Sequence, residues 1–169
     1  MYWQHISKKN SFVDFNTIIG CPFVPSVSII APAFNESKTI VENTRALLSL
    51  FYSEYEVIVV NDGSSDDSLE KMIQEYNLEK VDYFLDYRIP TQEVRGIYKS
   101  TNKSFDRLVL IDKYNGGKAD SLNAGINLSK YKLFVSIDVD SIIESDALLK
   151  LVKPFLESSD ENHVLQLEE

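Results

Sequence analysis

The chain has 169 residues, of which 44% are hydrophobic, and a formal net charge of -9. This length and composition suit a single globular domain with a substantial core. The acidic balance, with Lys and Arg scattered along the chain, argues against nucleic acid as a partner. The single cysteine, Cys21, excludes an intrachain disulfide, and no CxxC or His-rich spacing offers a zinc site.

The segment that precedes the first strand is expected to stand apart from the domain. Residues 1–25 contain aromatic and proline residues without periodicity, so an arm packed on the domain and a leader to another segment are equally open interpretations. The domain is expected over residues 26–169.

No apolar run approaches the roughly 20 residues that cross a bilayer, and the start lacks the apolar core of a signal peptide. A soluble, cytoplasmic location is therefore expected for this part of the protein.

Strand-like and helix-like segments alternate from about residue 25, which predicts an α/β fold with a mostly parallel central sheet. The predicted strands are residues 26–31, 56–61, 81–85, 107–111 and 132–137. These strands are continuously apolar, the last one included, which predicts helices on both faces of the sheet. The long stretch over residues 86–106 is predicted to leave the sheet and to hold a short strand near residues 93–98.

Three helices are predicted from apolar residues that recur at helical spacing. The residues that form these stripes are Ile40, Leu47, Leu48 and Phe51, then Leu69, Met72, Ile73 and Tyr76, and finally Leu148, Leu151, Val152 and Phe155. Each stripe is expected to pack on the sheet.

The first candidate loop, residues 31–37, follows a strand and precedes a helix. Pro32 stiffens the turn, Asn35 or Ser37 could cap the helix, and the N–H groups that open the helix would attract an anion. A well-capped turn without function explains the same residues, and for this loop alone that interpretation is the stronger one.

The second loop, residues 61–67, contains an aspartate without an evident local role. Gly63 permits a tight turn, and Ser65 or Asp66 could cap the next helix. Asp62 could accept a hydrogen bond from a nucleobase N–H or a ribose hydroxyl. A turn aspartate that bonds its own backbone is an equally good explanation.

The third loop, residues 114–123, has a glycine pair that leads into a helix. A Walker A loop is excluded because Asp112 and Ala119 stand where it needs glycine and Ser or Thr. Lys118 in the first helical turn opposes the helix dipole, so an anionic partner would explain its position. An exposed lysine on a solvated turn explains it equally well.

The fourth loop carries two aspartates after the last predicted strand. Asp138 and Asp140, separated by Val139, can point at one cation, and their oxygens suit Mg²⁺ or Mn²⁺. A helix-capping pair is the alternative. An EF-hand is excluded because the glycine and the distal glutamate are missing.

The four loops together are a more specific signal than any one of them. All of them follow predicted strands and should therefore share one edge of the sheet. A stiff turn, a base-reading acid, a phosphate-facing cation and a metal site would form a pocket for a nucleotide diphosphate. In this order the segments 27–36, 59–66, 116–125 and 138–140 resemble those of the family 2 glycosyltransferases. Members of that family have the Rossmann-like GT-A fold, which binds nucleotide sugars.

The resemblance implies roles for the residues at the nucleotide end of the pocket. Pro32, Ala33 and Phe34 would hold the uracil of a UDP-sugar together with Asp62, and Glu36 would lie near the nucleotide. Phe34 stands where the family more often has Tyr. That change keeps the ring and loses a hydroxyl.

The resemblance also implies a metal-bridged diphosphate, with Mg²⁺ or Mn²⁺ as the cofactor. Lys118 would lie near the nucleotide, Asp138 near the ribose or sugar, and Asp140 on the metal. Asp138 joins Asp140 in the metal site, and Val139 lies between them in the donor site.

For the intact enzyme the resemblance implies inverting transfer of the sugar to the hydroxyl of a saccharide or lipid-linked acceptor. No residue here matches the family's catalytic base, which is expected beyond Glu169. The chain is accordingly expected to be the donor-binding part of a longer protein, which could be membrane-anchored with this domain at the cytoplasmic face. A non-catalytic nucleotide-sugar-binding domain and, less favoured, a sugar nucleotidyltransferase are the alternatives.

Overall fold

A computed structural model describes residues 24–83, 87–141 and 143–157, without the side chains of residues 154–157. The segment expected to be an arm or leader lies outside the described residues, apart from residues 24 and 25. Among the residues described, no helix combines the length and the apolar character that a membrane span requires.

The described residues form one six-stranded sheet. Its strands are β1 (Val27–Ala33), β2 (Tyr55–Asp62), β3 (Leu78–Val81), β4 (Val94–Ser100), β5 (Leu108–Lys113) and β6 (Leu133–Ser136). They lie in the order β3-β4-β5-β2-β1-β6. Pairing is parallel between β1 and β2, β1 and β6, and β2 and β5, whereas β4 is antiparallel to both β3 and β5. The prediction of an α/β fold with a mostly parallel sheet is confirmed.

Helices cover both faces of the sheet, as predicted. They are α1 (Ile40–Leu48), α2 (Ser68–Glu75), α3 (Lys118–Leu128) and α4 (Ala147–Glu157). Side chains of α1, α2 and α4 pack in one core cluster with Ile29 and Val57, and those of α3 pack in a second cluster with Ile30 and Ile58. Because neighbouring residues of a strand point to opposite faces, these pairs define two opposite layers.

The central strands are apolar on both faces because both faces are buried. Every residue of β2 and β5 is buried, and Val57, Ile58, Val59 and Val60 have no exposed surface. Burying a Val or Ile side chain fully contributes roughly 1.5–3 kcal/mol, and β-branched side chains suit a pleated strand. These strands therefore hold the loops that follow them in fixed positions.

The third predicted strand is wrong in its position. The structure has β3 at Leu78–Val81, whereas the prediction was residues 81–85, of which 84 and 85 lie outside the described residues. Glu79 and Lys80 are exposed, since β3 lies at an edge of the sheet and buries only Leu78. An apolar run is therefore not needed there. The short strand predicted near residues 93–98 is confirmed as β4.

The last predicted strand was expected to be wholly buried, and this is also wrong. β6 pairs with β1 at one edge of the sheet formed by the described residues. Its residues alternate between partly buried and exposed, and the side chain of Phe134 is 51% exposed. The helical stripes show a similar error, because Phe51 lies beyond the end of α1 and both Phe51 and Leu151 are exposed.

Candidate functional site

One pocket lies at the carboxyl ends of the parallel strands, beside β1. The strand order changes direction there, because β2 pairs with β1 on one side and β6 pairs with it on the other. Crevices at such switch points are the usual ligand sites of open α/β sheets. The pocket has a volume of about 260 Å³. Its lining residues are Pro32, Ala33, Phe34, Glu36, Asp62, Lys118, Ser121, Asp138, Val139 and Asp140. The structure thus brings every candidate site residue together, and Ser121 is an addition.

Asp62 is buried at the end of β2 and holds the glycine turn that precedes α3. Its Oδ1 accepts hydrogen bonds from the Gly116 N–H at 3.0 Å and from Lys113 Nζ at 2.5 Å. Its Oδ2 accepts one from the Gly117 N–H at 2.8 Å. The sequence suggested no partner for this aspartate because its partners come from a distant part of the chain.

Lys113 is the buried cation of the site, and the sequence analysis did not identify it. Besides Asp62, its Nζ contacts Asp120 Oδ2 at 2.6 Å and donates to the Tyr114 carbonyl at 2.8 Å. Asp120 also accepts from Thr91 Oγ1 at 2.9 Å. The available signal was a lysine that ends an apolar strand directly after an aspartate, since lysine is rarely buried without a partner.

The two carboxylates beside Lys113 are held in their charged form. Burial alone would raise the pKa of Asp62, but the Lys113 ammonium and the N–H groups of Gly116 and Gly117 hold that pKa below its ordinary value. Burial acts against Asp120 in the same way, and hydrogen bonds from Lys113 and Thr91 again hold the pKa low. Both side chains therefore act as hydrogen-bond acceptors at neutral pH.

The turn after β2 packs directly against the turn after β5. Gly63 has a φ of 67°, and a Cβ there would lie 2.7 Å from the backbone nitrogen of Asn115. The Asn115 side chain donates to the Asp62 carbonyl at 2.8 Å. Only glycine fits this contact without displacing one of the turns, as the tight turn predicted at Gly63 requires.

The first loop is tied to the second rather than to its own helix. The Asn35 N–H donates to Ser64 Oγ at 2.9 Å, and Asn35 Oδ1 accepts from the Ser65 N–H at 2.8 Å. The Ser37 N–H donates to Asp66 Oδ2 at 3.0 Å. The prediction that Asn35 or Ser37 caps α1 is wrong, because the N-cap of α1 is Thr39.

Asp66, in contrast, bonds to the start of α2, but the N-cap of α2 is Asp67, so the prediction that Ser65 or Asp66 caps this helix is wrong in its position. Its Oδ1 accepts from the Ser68 N–H at 3.1 Å at the start of α2. The same carboxylate thus satisfies the opening of α2 and fixes the first loop through Ser37. Phe34, the residue before Asn35 in the first loop, is 50% exposed at the pocket, where a planar group could stack on its ring.

The opposite wall of the pocket is acidic. Val139 is buried, and its position directs the exposed Asp138 and Asp140 to the pocket on either side of it. Lys118 Nζ lies 2.5 Å from Asp138 Oδ1. A cation and two carboxylates therefore meet at the mouth of the pocket.

Ser121 lines the same pocket from the first turn of α3. Its side chain is buried, and its Oγ has no hydrogen-bond partner among the described residues. A buried hydroxyl without a partner is unfavourable, so a bound ligand or water would satisfy it. Nothing in the sequence distinguishes Ser121 from other helix-start serines.

The fold is that of the GT-A domains, as comparison with solved structures shows. TarS residues 1–349 from S. aureus in complex with UDP-GlcNAc has a TM-score of 0.54 and 21% identity, covering 79% of this chain and 31% of that one. Mannosyltransferase PcManGT from Pyrobaculum calidifontis in complex with GDP-Man and Mn²⁺ has a TM-score of 0.58 and 21% identity, covering 78% and 33%.

Sequence comparison then establishes the family. The sequence profile of Glycosyl transferase family 2 matches residues 28–166, and the chain belongs to that family. The poly-beta-1,6-N-acetyl-D-glucosamine synthase of Staphylococcus epidermidis is 30% identical over 132 residues, which are 78% of this chain and 26% of that protein. The synthase of the same name from Staphylococcus aureus strain COL is 28% identical over 130 residues. The chain spans about a quarter of the length of these relatives.

Proposed function

We propose that this chain is the donor-binding part of a glycosyltransferase that takes a sugar from a UDP-sugar and transfers it, with inversion, to an acceptor hydroxyl. One observation carries the proposal: four separate loops converge on one pocket. The pocket is lined by the hydrogen-bond-accepting carboxylate of Asp62 and by the carboxylate pair of Asp138 and Asp140. The names of the relatives favour UDP-GlcNAc as the first donor to test and a growing saccharide as the acceptor. A lipid-linked acceptor is a second candidate.

Each wall of the pocket suits one part of such a donor. Asp62 would accept a hydrogen bond from the base, and the exposed ring of Phe34 would pack on the base or the ribose. Lys118 and the opening turn of α3, with Ser121, would contact the diphosphate, since helix N-termini and lysine side chains attract anions. Glu36 also lines the pocket.

The carboxylate pair fits Mg²⁺ or Mn²⁺. Asp138 and Asp140 supply the hard oxygen ligands that these cations prefer. No group of three or more His, Cys, Asp or Glu side chains suited to a metal occurs in the part of the chain that is described. The remaining ligands would then come from the donor diphosphate and water. When bound, the metal would stabilise negative charge on the leaving diphosphate.

Calorimetric titration of the chain with UDP and UDP-GlcNAc, each with and without Mn²⁺, tests the proposal. We expect Mn²⁺ to strengthen UDP binding and Asp140→Asn to reduce that metal effect by about tenfold or more, since it removes one charged metal ligand. Asp106→Asn is the matched control, because Asp106 is exposed just before β5, at the opposite edge of the sheet. Metal-independent binding, or no nucleotide binding at all, would contradict the proposal.

Two other functions are less well supported. A non-catalytic domain would retain the same pocket, and it would be distinguished by the absence of transfer when the longer protein receives donor and acceptor. A sugar nucleotidyltransferase usually opens with a glycine-rich basic loop, whereas residues 31–37 contain neither glycine nor arginine. For the longer protein we propose a cytoplasmic position for this domain, at the membrane face if the protein is anchored.

A further inference from the structure

The ion pair between Asp62 and Lys113 joins neighbouring strands at the pocket. The two residues are direct partners in the register between β2 and β5, and the side chain of Lys113 has no exposed surface. Its ammonium lies between Asp62 and Asp120, at 2.5 Å and 2.6 Å. Lys118, which lines the pocket, is paired with Asp138. Lys113 is therefore the cation that faces Asp62.

Asp62 has limited capacity left for a ligand. An ionised carboxylate offers about four acceptor positions and no donor. Oδ1 takes Lys113 and the Gly116 N–H, and Oδ2 takes the Gly117 N–H. One acceptor position on Oδ2 is left over from these bonds, and Asp62 lines the pocket. A ligand group that meets this oxygen must therefore donate a hydrogen.

We propose that Lys113 is a positioning and specificity-determining residue: it keeps Asp62 as a fixed, acceptor-only group and thereby makes the pocket prefer uracil to cytosine. The inference rests on the proposed function, in which Asp62 faces the base of the donor nucleotide. It adds a residue that does not line the pocket and acts through Asp62.

The chemistry of the two bases explains the preference. Uracil presents an N–H at ring position 3, which a carboxylate accepts. Cytosine presents a lone pair at the same position, and a carboxylate repels it. An unmet or opposed polar contact in a buried site discriminates strongly between ligands of equal size.

Without Lys113, Asp62 and Asp120 would face each other with no cation between them, which favours protonation of one of them. A protonated Asp62 could donate to cytosine.

The test compares UDP and CDP binding, each with Mn²⁺, by calorimetry on the whole chain. We expect Lys113→Met to reduce the ratio of UDP to CDP affinity by about tenfold or more, a loss typical of a hydrogen bond to a charged group. Lys130→Met is the matched control. Lys130 also lies beside a buried acid, Glu56, at 3.5 Å, but at the amino edge of the sheet, so the ratio should not change.

Circular dichroism and thermal unfolding establish whether the variants are folded. If Lys113→Met does not fold, Lys113→Gln takes its place: it removes the charge but keeps a hydrogen-bond donor between Asp62 and Asp120, and we expect it to relax the base preference in the same way. A folded variant that loses UDP and CDP affinity equally would show that Lys113 only stabilises the turn, and the inference would be wrong. Equal binding of UDP and CDP by the unmodified chain would overturn the inference but not the proposed function. Binding of neither would overturn both.

Discussion

Two glycines with positive φ lie on the turns that meet at Asp62, and their surroundings differ. A Cβ at Gly63 would meet the backbone nitrogen of Asn115 at 2.7 Å, whereas a Cβ at Gly117 would have nothing within 4 Å. The φ values are 67° and 86°. Alanine at Gly63 costs about 1–2 kcal/mol of backbone strain. Gly117 has a ψ of 174°, in a region that essentially only glycine adopts, so alanine there costs about 1–3 kcal/mol. Only at Gly63 does a steric conflict of roughly 1–3 kcal/mol add to it.

We therefore expect Gly63→Ala to lower the free energy of unfolding more than Gly117→Ala does. Urea unfolding of the two variants beside the unmodified chain measures the difference, and Gly117→Ala serves as the strain-only control. A loss at Gly63→Ala of no more than about 1–2 kcal/mol, the cost of backbone strain alone, would mean that the two turns separate easily and that their contact does not fix Asp62.

Single residues also show where sequence reasoning stops. The residue type and strand-end position of Asp62 left a ligand-binding role and a local turn role equally open, and only the resemblance to the family 2 glycosyltransferases favoured the first. Its partner Lys113 lies 51 positions away and reaches it only through the register of two parallel strands. The spacing of residues along the chain does not reveal how two strands are aligned. The buried ion pair was therefore visible only in the fold.

At the scale of elements, α3 lies close to β1 because a glycine faces the sheet. A Cβ at Gly125 would lie 2.3 Å from Ile30 Cγ2. Alanine in a helix is normally favoured over glycine by roughly 1 kcal/mol. Here the clash reverses the sign, because the side chain of Ile30 is fully buried and α3 would have to move away from the sheet.

We expect Gly125→Ala to destabilise the chain by about 1–3 kcal/mol. Ile30→Ala alone should cost about 2–5 kcal/mol by opening a cavity. In the double variant the new methyl group occupies part of that cavity, so the loss should be smaller than the sum of the two single losses. A double-mutant cycle by urea unfolding measures this coupling. Strictly additive losses would show that α3 does not rest on Ile30.

The strands could be predicted where they are buried, because burial requires apolar residues. β1, β2 and β5 are buried throughout or nearly so, and their apolar runs identified them. β3 was misplaced because an edge strand needs one buried residue, Leu78, and two of its four residues are exposed and charged. β6 has the apolar run of a central strand and lies at an edge of the described sheet. Apolar character therefore does not give strand order.

At the scale of the whole molecule, the loops at the carboxyl edge are held together by carboxylates. Asp62 binds the turn before α3, Asp66 joins the first loop to α2, and Asp120 accepts from the Gln92 N–H at 2.9 Å. The four-loop pocket was expected from the sequence because every loop follows a strand. These cross-links between loops were not expected, because each joins residues far apart in the chain.

The same three carboxylates predict how the molecule responds to acid. Burial would raise the pKa of each, but Lys113 acts on Asp62 and Asp120, and the Ser68 hydroxyl acts on Asp66, so that all three pKa values are held below the ordinary value of 3.8. A carboxyl group whose pKa is lower in the folded than in the unfolded state stabilises the fold above its unfolded pKa. That contribution is lost as the pH falls from there toward the folded pKa.

We expect the free energy of unfolding, measured in urea, to depend little on these groups from pH 7 to about pH 5 and to fall steeply below about pH 4. Asp66→Asn should be less stable than the unmodified chain at pH 7 and should lose less between pH 5 and pH 3, because one of the three linked groups no longer titrates. The first loop should loosen in that variant, since the Ser37 N–H loses its charged acceptor. An unchanged acid dependence in Asp66→Asn would show that Asp66 does not hold the first loop to α2.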